Sequence, residues 1–192
     1  MRFAAFIATA ALMLAGCRPA SAAPFAPYPE TKPGTVYHFI AYEADEAGKL
    51  QKKGAATITI EKPVKVGANE YVRITRKVGG RDFGEERYRF GDAFWLLEDP
   101  NNEASAIRVF DVPPKAGAEV QNATTTTKVV AEKDPSIEGA TYKNLLTVEY
   151  HTAGILRLRY VIDRDAGHVK STIFNADGKL FGELRRDPQA GR

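Results

Sequence analysis

Beyond Gly34, hydrophobic and polar residues alternate in short runs cut by turn residues, and no segment sustains a helical period. Val36, His38, Ile40 and Tyr42 fall on one face of a first strand, opposite Tyr37, Phe39 and Ala41. Ala56, Ile58 and Ile60 alternate with Thr57, Thr59 and Glu61, the pattern of a strand with one face in the core and one in solvent. Val72, Ile74 and Val78 point inward on the next strand, with Arg73, Thr75 and Lys77 outward. Gly79-Gly80 then turns the chain into Phe83–Phe90. The apolar run Ala93–Leu97 predicts a strand buried on both faces, and Ala106–Asp111 follows the turn at Asp99–Asn102.

The second half repeats the pattern. Val120–Val130 reads as strand, and its run of four threonines suggests a sheet edge or a wet, ligand-facing surface, with the edge preferred. Leu145–His151 turns at Thr152–Gly154 into Ile155–Ile162, where Leu156, Leu158, Tyr160 and Ile162 share a face against Arg157, Arg159 and Val161. Val169–Phe174 follows, and Asp177-Gly178 is the strongest hairpin signal in the chain, leading into Leu180–Leu184. Pro113-Pro114 divides the sequence midway, but each half alone is small for a core, so a wide loop is expected there. The fold class predicted is all-β: a single antiparallel meander of about ten strands, forming a curved half-barrel or a closed barrel that covers its own apolar face.

The N-terminus is of another kind. Arg2 precedes an uncharged, Ala- and Leu-rich run, Phe3–Ala15, which at 13 residues is short of the roughly 20 that span a bilayer as a helix. The run ends in Leu14-Ala15-Gly16-Cys17, and Cys17 is the single cysteine of the chain. These four residues resemble the lipobox of bacterial lipoproteins at every position. The resemblance implies cleavage before Cys17 and diacylglycerol modification of its thiol. Arg18, where aspartate commonly signals inner-membrane retention, implies an outer-membrane, lipid-anchored protein facing the periplasm. An ordinary signal-peptidase site after Ala20-Ser21-Ala22 is the alternative. The division expected is a signal peptide over 1–16, a lipidated Cys and Pro/Ala-rich tether over 17–33, a β domain over 34–187 and a frayed tail over 188–192. Within 18–33 the two readings are an extended spacer and a leader docked through Phe25 and Tyr28.

The strand pattern also resembles the half-barrel carrier and receptor proteins of lipoprotein sorting. The likeness is architectural, and the sequence has none of the helices that plug those half-barrels.

Charge and chemistry narrow the function further. Lys and Arg number 27 against 24 Asp and Glu, a formal net charge of +3, which gives no basic face for nucleic acid. His38, His151 and His168 are far apart and never at the short spacing of a ligand pair, so no metal or other cofactor is expected. Asp163–Gly167 resembles half a calcium loop but lacks the closing glutamate, and a hairpin turn accounts for it. No serine sits in a nucleophile elbow, and Glu85 and Glu86 fall on opposite strand faces. No catalytic residues are predicted. The function expected is a non-enzymatic binding or scaffolding domain in the envelope. Its partners would be the membrane, through the lipid, and an envelope protein. A carrier or receptor for a lipid or other hydrophobic ligand is the alternative.

Overall fold

The computed structural model describes residues 25–132 and 136–190; Leu14, Ala15, Gly16 and Cys17 lie outside them. The described residues fold as β1 (Val36–Ala44), β2 (Leu50–Ile60), β3 (Val64–Val66), β4 (Asn69–Val78), β5 (Arg81–Phe90), β6 (Ala93–Leu97) and β7 (Ala106–Asp111) in the first half. The second half contributes β8 (Glu119–Gln121), β9 (Thr125–Ala131), β10 (Ser136–Ile137), β11 (Ala140–Thr141), β12 (Leu145–Thr152), β13 (Ile155–Asp163), β14 (Gly167–Phe174) and β15 (Leu180–Arg186). The fold is all-β and antiparallel, as the alternation predicts. The strands beyond about ten are short pieces, β3, β8, β10 and β11, with too few residues to show a period.

The sheet runs in the order β7-β6-β5-β4-β2-β1-β15-β14-β13-β12-β9-β8, with β3 paired to β4, and it nearly closes into a barrel with one seam. First and last strands pair, Phe39 opposite Arg186 and Ala41 opposite Leu184. The seam therefore falls at mid-chain, between β7 and β8, whose connection contains Pro113-Pro114. Side chains bridge it. The Asn122 amide stands in for a peptide group: its Oδ1 accepts from Arg108 N at 3.1 Å and its Nδ2 donates to Arg108 O at 3.0 Å. Next to it, the buried Thr127 hydroxyl donates to Val109 O at 2.5 Å.

Val120–Val130 is thus not one edge strand but the β8–β9 hairpin. Thr125 and Thr127 are buried, and the threonine face meets β7 across the seam. Thr127→Val keeps the shape but leaves the Val109 carbonyl without its donor. Urea denaturation should show a loss of about 1–3 kcal/mol with the β circular-dichroism spectrum unchanged.

The barrel core joins Phe39, Ile58, Ile60, Ile74, Phe110 and Val148, all nearly inaccessible, to residues of the remaining strands. Two smaller clusters cover parts of the outer surface. Val66, Tyr71 and Leu97 pack beneath β3, and Val161 and Val169 pack with Ile137 of the β10–β11 hairpin. That hairpin is tied down at its turn, where Glu138 accepts from Tyr42 Oη at 2.9 Å and from Arg185 Nη1 at 3.0 Å.

Candidate functional site

The barrel has two unlike ends. At one end the chain itself is the stopper. Among the described residues, Phe25 to Tyr28 of the proline-rich stretch pack into the barrel, ahead of the strands that follow Gly34. Phe25 N donates to Arg164 O at 2.9 Å, and Pro27 O accepts from His168 N at 2.7 Å. The loop that receives them is shaped by Asp163, whose Oδ1 accepts from Asp165 N and Ala166 N, both at 2.9 Å, in a turn. Gly167 is required where they meet. At φ +77 it is left-handed, and a Cβ there would lie 2.5 Å from Pro29 Cδ and 2.6 Å from Pro27 O. Tyr28, buried, inserts its ring among Tyr37 at 5.3 Å, Tyr88 at 5.6 Å and His168 at 6.0 Å.

Behind the stopper lies a polar group within an apolar core. His168 is buried between Tyr28, Phe39 and Tyr160, with Tyr28 Oη 3.5 Å from its Nδ1. Burial, then the nearby charges of Arg76 and Arg186, lower its pKa to about 3, so the ring is neutral at physiological pH. Arg76 and Glu86 form an ion pair at 2.6 Å, with side chains 21% and 26% exposed, where the packed interior gives way to the open end. Burial alone lowers the Arg76 pKa. Glu86, with Tyr160 and Tyr28, more than reverses this, and the guanidinium stays charged. A cavity of about 20 Å³ beside Tyr28, Tyr88, Tyr160 and His168 has room for about one water. The middle of the barrel is therefore filled by side chains.

The other end is open. A recess of about 300 Å³ enters between Phe94, Leu96, Val109, Val148 and Leu158, and reaches Glu86 and Tyr160 at its floor. At its mouth Tyr150 Oη donates to Glu98 Oε1 at 2.5 Å. A second recess of about 340 Å³ lies between Ala41, Val78, Phe83, Ile173, Phe181 and Leu184. Three exposed apolar side chains ring the same end within the first three residues of their strands: Phe83 at 60%, Phe181 at 49% and Ile155 at 41%. The hairpins at Gly79-Gly80, Thr152–Gly154 and Asn175–Lys179 turn here; Gly178 at φ +74 supplies the left-handed position that Asp177-Gly178 predicts.

The structure scatters the residues once weighed for chemistry. His38 is exposed, His151 lies 3.4 Å from Glu149, and His168 is in the core. Among the described residues, no three of His, Cys, Asp and Glu are grouped to hold a metal ion. Glu86 pairs with Arg76, whereas Glu85 Oε1 accepts from Arg87 Nε at 2.8 Å. The residues missed from sequence are Arg76 and Glu86. Arg76 occupies the inward phase of Val72, Ile74 and Val78, and Glu86 that of Tyr88 and Phe90. Opposite charges at inward positions of adjacent strands are the signal that finds them.

No family model matches the chain, and no curated protein matches it. Two solved structures are similar. A chain from Bacteroides fragilis with a YmcC-like fold, provisionally described as an exported protein, is 13% identical with a TM-score of 0.44, covering 85% of this chain and 97% of its own. A chain from Parabacteroides distasonis, provisionally described as a lipoprotein, is 10% identical with a TM-score of 0.32, covering 85% and 96%.

Proposed function

We propose that the protein is an outer-membrane lipoprotein whose barrel is a non-enzymatic binding module, with its ligand site at the open end. The observation that carries this reading is the recess of about 300 Å³ walled by Phe94, Leu96, Val109, Val148 and Leu158. Small-molecule sites run from about 300 to 1,000 Å³, are mostly apolar and carry a few convergent polar groups, here Glu86, Tyr150 and Tyr160. The closed end and filled middle leave the open end as the place for a guest. The occupant expected is an apolar group, because its burial contributes about 25 cal/mol per Å² whereas a polar guest would lose water bonds to carbon walls.

A second reading rests on Phe83, Ile155 and Phe181: exposed apolar residues gathered at one end also suit a protein partner. Native mass spectrometry of the purified full chain, with titration of an apolar dye, separates the two. The ligand reading expects a co-purifying apolar molecule or saturable dye uptake. A chain that is empty, takes up no dye and associates with a protein would replace it.

The envelope address rests on the lipobox. Cys17→Ser should abolish incorporation of labelled fatty acid and block processing at that site, with the barrel's circular-dichroism spectrum unchanged. Retained acyl label in the variant would end the lipoprotein assignment.

A further inference from the structure

The two recesses of the open end are neighbours, and their contact defines the kind of guest. Leu158 lines the first and Ile173 the second. These two residues are direct partners across β13 and β14. Facing residues of an antiparallel pair have Cβ atoms about 5 Å apart, so the apolar walls of the two lobes meet across a single ridge. The lobes are alike in size, about 300 and 340 Å³, and both open at the same end. Each alone is at the small limit of a ligand site, and together they fall well within the usual range.

We propose that the open end is a two-lobed site for one amphiphile with two apolar chains, one chain in each lobe. This rests on the reading of the open end as a ligand site. The ridge of Leu158 and Ile173 divides the two lobes, so the two chains of one molecule would enter on either side of it. Phe83 and Phe181 extend the wall of the second lobe outward along its chain. The rim sets the head group. Lys53 and Glu43 form an ion pair of 2.8 Å with both side chains half exposed, and across the mouth Glu98 holds Tyr150. Both signs of charge stand at the mouth, which suits a neutral or zwitterionic head better than a strongly anionic one.

Two linked chains make the second insertion intramolecular, which raises affinity by a factor on the order of 10²–10⁴ when the linkage matches the span. Native mass spectrometry and dye displacement on the purified full chain can compare two zwitterionic probes of equal chain length, diheptanoyl-phosphatidylcholine and its one-chain lyso form. The site should take one two-chain molecule or two one-chain molecules, with the two-chain probe tighter by about 100-fold or more. Leu158→Trp fills the first lobe and Ile173→Trp the second. Each should reduce the stoichiometry of the one-chain probe to one and remove the two-chain advantage, with thermal melting as the check on folding. Phe83→Ser and Phe181→Ser alter exposed wall residues and should weaken the two-chain probe selectively, without depending on core substitutions. A two-chain advantage that survives both tryptophan variants, or a one-chain stoichiometry of one in the unaltered protein, overturns the two-lobed site alone. Failure of both probes to bind overturns the ligand reading beneath it.

Discussion

Replacing Tyr28 with alanine should destabilise the barrel by about 3–5 kcal/mol, the range for emptying a buried aromatic site. Tyr28 is 4% exposed and packs against Tyr37, Tyr88 and His168, and the three come from β1, β5 and β14. Its loss opens a cavity at a point that these rigid strands cannot collapse to fill. Equilibrium urea unfolding measures the cost. Tyr28→Phe is the informative control: the Oη–Nδ1 separation of 3.5 Å is long for a hydrogen bond, so removing the hydroxyl should cost under about 1 kcal/mol. Equal losses in both variants would mean that the hydroxyl, not the ring, holds the stopper. Gly167→Ala should have a related effect from the other side, since its Cβ would displace Pro27 and Pro29.

Acid should weaken the barrel through His168. Its folded pKa of about 3 lies below the ordinary 6.5, because burial, with Arg76 and Arg186 nearby, disfavours the charged ring. Between those two values the unfolded chain binds the proton and the folded chain does not. The stability associated with the neutral ring is thus fully present above pH 6.5 and is lost as pH falls toward 3. The slope approaches about 1.4 kcal/mol per pH unit, a total on the order of 5 kcal/mol. Carboxylates titrate over part of this window, so the quantity to measure is the difference between the native protein and His168→Phe in urea melts at pH 7, 5.5 and 4.5. The phenylalanine variant should lose less stability on acidification. Parallel curves would show that His168 does not carry the effect.

How much of this was readable from sequence depended on whether a feature is local. The alternations at Ala56–Ile60 and Leu156–Ile162, and the hairpin at Asp177-Gly178, put strands and turns where the structure has them. Asn122-Ala123-Thr124 lacks a glycine, and the β8–β9 turn it makes was hidden inside an apparent single strand. The interior pair is hard to read locally because Arg76 and Glu86 interrupt the apolar alternation of their strands, although their phase is that of the core. No local rule reports that Tyr28 reaches His168 or that Leu158 and Ile173 divide two lobes. Those follow from the registers of distant strands, and only closure of the sheet brings them together.

The pairing of β1 with β15 has a consequence for how the chain comes to be folded. Ribosomal synthesis delivers a polypeptide from its N-terminus, so β1 emerges before β2 and long before its other neighbour, β15. Until β15 arrives, β1 is a sheet edge with Phe39 and Ala41 uncovered on one flank, and the loop-closure entropy of nearly the whole chain remains unspent. A partly synthesised chain is thus a row of strands growing away from a first member unpaired on one side, the kind of edge that invites another chain. Premature termination before Leu180 would leave that edge permanently open, which makes the last seven-residue strand the checkpoint for a finished molecule.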